Sequence, residues 1–122
     1  MRRISVAILA VILIPLLAIA ADYRAQMIPW IVADGDWWAG VNLKNASSYD
    51  CVATITEFDE SGSEIDSYSV TVLANGTHKW SVDDGVRSIL IEGPDSLFVT
   101  AHQGRGQQLT ELSVREITHL KN

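Results

Sequence analysis

Few side chains in this sequence are placed to do chemistry, and the most promising gather in one short stretch, Asp34-Gly35-Asp36-Trp37-Trp38. Neighbouring residues on a strand point to opposite faces, so one of Trp37 and Trp38 can enter a core while the other stays outside. A rigid indole beside Asp34 and Asp36 could stack on a sugar ring or fill a partner's pocket, because it offers a large contact area at low entropic cost. The plainer reading is that the N-terminal run Met27 to Val32 covers the second indole. His78, His102 and His119 are far apart and form no His-x-His or His-x-x-x-His pair, so a zinc site would need three separate strands to converge. Ser, His and Asp are all present, but no Gly-x-Ser-x-Gly elbow presents a nucleophile. We therefore expect no catalytic residue, no metal and no cofactor, and a protein that is not an enzyme. Asp34-Gly35-Asp36, Asp59 to Glu64 and Asp83-Asp84-Gly85 offer oxygens of the kind calcium takes, yet none follows the EF-hand loop, and Asp and Gly are what any tight turn prefers.

Composition narrows the partners. The chain has 122 residues and a formal charge of −6. Met1-Arg2-Arg3 followed by the apolar run Ile4 to Ala20 and the small residues Ala18-Ile19-Ala20-Ala21 reads as a secretory signal peptide cut after Ala20. The competing reading is an uncleaved anchor, since the run approaches the length of a membrane span. Either way residues 21–122 form one exported domain, and the membrane is touched only through residues 1–20. Setting aside Arg2 and Arg3 leaves seven basic side chains against fifteen acidic ones, a formal charge of −8. Nucleic acid and anionic membrane surfaces would be repelled by such a surface. A single cysteine, Cys51, cannot form an internal disulfide, so the core must hold the fold. We expect Cys51 to be a free thiol buried as a small apolar residue; a bridge to another chain is the alternative.

The elements that position these residues read as short strands. Asp22 to Ala25 is a leader, and Met27 to Val32, carrying Pro29, is an edge strand or the approach to one. Trp37 to Lys44 alternates, with Trp37, Ala39, Val41 and Leu43 on the face to be buried. Cys51 to Phe58 has two mixed faces, of which Ala53 and Ile55 mark the inner one, with Glu57 near enough to the strand end to reach water. Ile65 to Leu73 turns Tyr68, Val70 and Val72 inward. Asn75-Gly76 is a hairpin signal, since a type I′ turn takes positive φ at both central residues, and Thr77 to Val82 would return from it. Tyr49 to Trp80 thus reads as a β-meander. Val86 to Glu92 is a buried strand closed by a turn at Gly93 to Ser96, Leu97 to His102 is another strand, and Gly104 to Gln108 is a flexible loop. Thr110 to Ile117 fits a last strand, with Leu112 and Val114 facing in, or a short helix. About seven or eight short strands at this spacing predict an all-β sandwich or barrel, and the 102 residues from Ala21 to Asn122 suffice for two sheets to enclose one core.

Trp37-Trp38, the strand ending at Asn45, the Phe58-Asp59 to Gly62 turn, Leu73 to Thr77 and the strand Ser88 to Glu92 together resemble the small Ig-like β-sandwich domains of exported prokaryotic proteins. The same strand order is similar to the sensory rhodopsin transducer family. The resemblance covers about Trp37 to Gln103, implies an antiparallel sandwich of seven or eight strands, and offers no catalytic residues to match. The export signal departs from a cytoplasmic signalling role. The expected function is a non-catalytic, extracytoplasmic β-sandwich with a structural or protein-interaction role at the cell envelope, its partner a protein or cell-surface component. A carbohydrate-binding module using Trp37, Trp38, Asp34 and Asp36, or a self-assembling surface subunit, is the alternative. Asn45-Ala46-Ser47 and Asn75-Gly76-Thr77 also fit the N-glycosylation pattern, which matters only in a host that glycosylates exported proteins.

Overall fold

The computed structural model describes residues 23–117; the expected signal or anchor at 1–20, and His119, lie outside them. Alternation of apolar and polar residues is realised as nine strands: β1 (Tyr23–Ile28), β2 (Trp37–Asn45), β3 (Cys51–Phe58), β4 (Glu64–Val72), β5 (Thr77–Ser81), β6 (Ser88–Pro94), β7 (Leu97–Arg105), β8 (Gln108–Glu111) and β9 (Arg115–Ile117). They pair antiparallel into a five-stranded sheet, β4-β3-β6-β1-β9, and a four-stranded sheet, β5-β2-β7-β8. None of the described residues lies in a helix. Each sheet has one apolar face, and stacking the two removes both from water. Ala39, Val41 and Leu43 of β2 and Leu97, Val99 and Ala101 of β7 meet Ala53 and Ile55 of β3 and Ile89 and Ile91 of β6 in one core.

The expected meander does not form. β3 and β4 are a hairpin, but β5 leaves their sheet and pairs with β2 in the other. The connection explains the crossing. Only Asn75 takes positive φ, at 56°, and the Gly76 N–H donates to the Leu73 carbonyl at 2.7 Å, the pattern of a type II turn rather than a hairpin-forming I′. Backbone bonds from Asn45 to Gly76 and from Asn75 to Ser47 then tie the crossing to the end of β2.

Asn45 anchors this corner. Its side chain is fully buried, and its Nδ2 faces the carbonyls of Tyr49, Val72 and Leu73 at 2.7, 3.1 and 3.3 Å. Its Oδ1 accepts from the Ser47 N–H and the Ser96 hydroxyl. The amide that a glycan would have to occupy is therefore enclosed, which removes Asn45 as an N-glycosylation acceptor in the folded chain.

Other boundaries shift for local reasons. Tyr23 to Ile28 is not a leader and an edge strand: β1 lies between β6 and β9, and Pro29, which has no N–H to give a ladder, falls just beyond its end. β6 runs through the expected turn as far as Pro94, opposite Tyr23. The expected loop after Gly104 is a tight hairpin in which Gly106, at φ 59°, turns β7 into β8. Thr110 to Ile117 is neither one strand nor a helix. Its first part belongs to β8 and its last to β9 in the other sheet, while Leu112 and Val114 between them pack on the core.

Glu57 does not reach water. It shares the inner face with Ala53 and Ile55 and is 5% exposed. Burial, followed by the nearby Asp83 and Asp66 carboxylates, pushes its carboxyl above the usual 4.5. The Trp80 indole N–H, itself buried without a hydrogen bond of ordinary geometry, works weakly the other way. Tyr68 is pushed up to about 12 by its own burial and then by Glu57, Asp66 and Asp83. A carboxyl raised on folding contributes stability that is complete below pH 4.5 and lost as pH rises through the folded value. Glu57→Gln should therefore be the more stable protein at pH 7 in urea unfolding, with the advantage shrinking towards pH 4.5. Equal stability at pH 7 would contradict this account. Asp34 and Asp59, whose carboxyls are lowered, act in the opposite window: their contribution is present above 3.8 and lost as pH falls.

Candidate functional site

The stretch Asp34 to Trp38 is divided by the fold. Asp34 is a structural clamp. Its carboxylate pairs with the Arg87 guanidinium and accepts from the Gly85 N–H at 2.8 Å, and its carbonyl accepts from the Trp37 N–H at 3.0 Å. The Arg87 hydrogen bond, then the Gly85 N–H, holds the carboxyl below the ordinary aspartate range. Asp36 is exposed in the same turn. Trp37 points to the inner side of β2, half-buried, with the Arg105 guanidinium 6.0 Å from its ring centre. Trp38 points outward and is 47% exposed.

Trp38 faces the outer surface of the four-stranded sheet. Residues paired across a ladder share a face, so the outward set follows from the register. On β2 it is Trp38, Gly40, Asn42 and Lys44. Ser81 and Lys79 of β5 stand opposite Gly40 and Asn42. On the other flank His102 and Thr100 of β7 stand opposite the same two residues, and Leu109 of β8 pairs with Gly104. Two glycines shape this surface. Gly104 lies opposite Trp38, and a Cβ there would come within 2.5 Å of the indole Cζ2 and 2.6 Å of Cε2. The ring thus rests directly on the strand. Gly40 leaves the next outward position of β2 bare.

The result is an open groove of about 490 Å³, lined along its length by Trp38, Gly40, Asn42, Lys79, His102 and Leu109. That volume is in the range of small-ligand sites. Asn42 is held by its Nδ2 donating to Thr100 Oγ1 at 3.4 Å, and His102 Nε2 lies 4.0 Å from Glu111 Oε2. The chemistry on offer is stacking on an indole, donation from an amide and an ammonium, and an apolar side wall at Leu109. Asp34, Asp36 and Trp37 do not line it.

No family model and no curated protein matches the chain. Solved structures do. The chain is similar to Thermotoga maritima 1070, with 13% identity, 77% of this chain and 90% of that one covered, and a TM-score of 0.52. It is also similar to the Anabaena sensory rhodopsin transducer, at 18% identity, 62% and 90% coverage and a TM-score of 0.45. PfGH50B is matched at 14% identity over 80% of this chain but 19% of its own length, with a TM-score of 0.42. The likeness to Thermotoga maritima 1070 speaks to the fold alone and leaves the site to its own geometry.

The remaining sequence candidates are dispersed among the described residues. His78 is half-buried beside Trp80, ring centres 5.6 Å apart, while His102 is in the groove. No group of three or more His, Cys, Asp or Glu side chains is placed to hold a metal ion among the described residues. Asp59 serves its own turn, accepting from the N–H groups of Ser61 and Ser63 at 2.9 Å each. Cys51 is a free thiol packed against the core but half-buried, and burial, then Asp50, raises its pKa, which disfavours the reactive thiolate. Lys79, Gly40 and Leu109 carried no signal in the sequence, and His102 stood out there only as a candidate metal ligand. They meet only because β5, β7 and β8 pair with β2 in this register.

Proposed function

We propose that this chain is a non-catalytic binding module, an exported Ig-like β-sandwich acting at the cell envelope, and that its ligand is a glycan held on the outer face of the four-stranded sheet. The observation that carries this reading is Trp38: a half-exposed indole resting against Gly104, beside a groove whose floor is opened by Gly40. A sugar ring presents an apolar C–H face to such an indole and hydroxyls to Asn42, Lys79 and Ser81 at the edges. The groove lining contains no pair of carboxylates, which glycoside cleavage by the usual route needs, and this supports binding without turnover.

The test is a glycan-array screen of the purified protein, followed by fluorescence titration of hits against wild type and Trp38→Ala. We expect binding that is at least tenfold weaker in the variant, about 1.4 kcal/mol. A protein that binds no glycan, or a variant that binds as well as wild type, would overturn the reading.

Protein contact is a second reading, favoured by the exposed Tyr49, Val52 and Leu73 around the start of β3 and the end of β4. Single apolar residues at a surface are common, so the built groove ranks first. A strictly monomeric species in light scattering at high concentration would count against self-assembly through that surface.

A further inference from the structure

We infer that the groove selects a short glycan bearing a carboxylate group, with its ring on Trp38 and the acid group at Lys79; this rests on the glycan reading above. The chain as a whole is acidic, with a formal charge of −6, which makes the charge around Lys79 informative. The outward residues that surround Lys79 through the ladders are Thr77 and Ser81 on its own strand and Asn42 on β2, with Thr100 beyond on β7. None of them is acidic. Lys44, two positions along β2 from Asn42, places a second ammonium on the same face, where its Nζ donates to the Asn75 carbonyl.

Among the described residues Lys79 enters no ion pair. Its neighbour across the ladder is Asn42, whose amide already donates to Thr100. An ammonium on a groove wall with no carboxylate beside it is complementary to an anion brought by the ligand. The acidic turns lie elsewhere. Asp34, Asp36, Asp83 and Asp84 sit at the end of the sandwich where β2 begins and β5 ends, beyond Trp38 and Ser81 rather than beside Lys79. Glu111, whose carboxylate lies 4.0 Å from His102 in the groove, is on the opposite flank.

Spacing gives the ligand its reach. From Trp38 to Asn42 is four residues along β2, and Lys79 is one strand across, so the Cα atoms of Trp38 and Lys79 are about 14 Å apart. A short oligosaccharide that runs along β2 over Gly40, stacked at one end and charge-paired at the other, has the reach to meet both side chains. Lys79 is here a specificity-determining residue, and Trp38 provides the platform common to any sugar.

The test is calorimetric titration of the purified full chain with galacturonate and glucuronate oligosaccharides and with the methyl esters of the same oligosaccharides, which keep the rings and remove the charge. Wild type, Lys79→Gln, Lys79→Arg and Trp38→Ala are compared at low and high salt. We expect the acids to bind at least tenfold tighter than the esters, with the preference lost in Lys79→Gln, retained in Lys79→Arg and reduced by salt. Acids and esters that bind alike, with both weakened by Trp38→Ala, would overturn the charge selection and leave the glycan reading standing. Acid preference unchanged in Lys79→Gln would overturn the role of Lys79. Binding of neither acids nor esters, with no hit among neutral glycans, would overturn both.

Discussion

Asn45→Ala is expected to lower folding stability by about 3 kcal/mol, the range for removing a buried amide that satisfies several backbone groups. In a domain of this size that corresponds to a fall in Tm of roughly 15 °C. The reasoning is local. Asn45 ends β2 fully buried, and its Nδ2 supplies the carbonyls of Tyr49, Val72 and Leu73 where the chain leaves β4 to cross to the other sheet. Alanine leaves those acceptors short of donors in a place water does not readily reach, and frees the corner that sends β5 to β2 rather than to β4. Asp is the informative second substitution. It keeps the oxygen that accepts from Ser47 and Ser96 but replaces the amide by a charge facing carbonyls, so Asn45→Asp should be at least as damaging at neutral pH. Thermal unfolding of the two variants checks this; a loss below about 1 kcal/mol in Asn45→Ala would show that the corner does not depend on the amide.

Gly104→Ala is the second change expected to have a large effect, and it should act on stability and binding together. The new methyl would meet two atoms of the Trp38 indole within 2.6 Å and the Gln108 carbonyl oxygen, a backbone atom of the facing strand, at 2.6 Å. Side-chain rotation could relieve the first clash only by lifting the indole off the sheet. The second requires the β7–β8 hairpin to move. We expect about 2 kcal/mol of destabilisation, as for other overpacked sites, together with loss of glycan affinity comparable to that in Trp38→Ala. Urea unfolding and glycan titration on one preparation separate the two effects. Full stability with full affinity would show that the Trp38–Gly104 stack is not needed to hold the platform.

How much of this could be read from the chain alone differs between strands and their partners. The buried face of β2, with Ala39, Val41 and Leu43 inward, and the inner Ala53 and Ile55 of β3 follow from period-two alternation, because a face that meets a core must be apolar at every second residue. The two-sheet architecture follows from the number and length of such runs. Pairing does not. Asn75-Gly76 carries the dipeptide that favours a hairpin, yet with positive φ at Asn75 alone it directs a crossing between sheets, a choice made by the buried Asn45 contacts rather than by the turn residues. Glu57 looked close enough to the strand end for water and is covered instead. Its position on β3 could be read from alternation, but the second sheet that closes over it could not.

The site shows the same division. Exposure of one indole in an adjacent tryptophan pair is a consequence of strand geometry, and Trp38 is that indole. Its expected company, Asp34 and Asp36, was a matter of sequence proximity, and the Asp34 carboxylate instead clamps Arg87 and Gly85. The residues that do accompany Trp38 come from β5, β7 and β8, brought in by ladders whose register is set by packing across the whole sandwich.

The most direct test of the central claim is a backbone and indole N–H chemical-shift map of the isotopically labelled protein during titration with a glycan that it binds. Ligand on the outer face of the four-stranded sheet predicts the largest shifts at the Trp38 indole and at the amides of Gly40, Asn42, Lys79 and Gly104, with Asp34 and Asp36 little changed. Shifts centred on Asp34 to Trp37, or on the β3–β4 end around Tyr49 and Leu73, with the Trp38 indole unmoved, would contradict it.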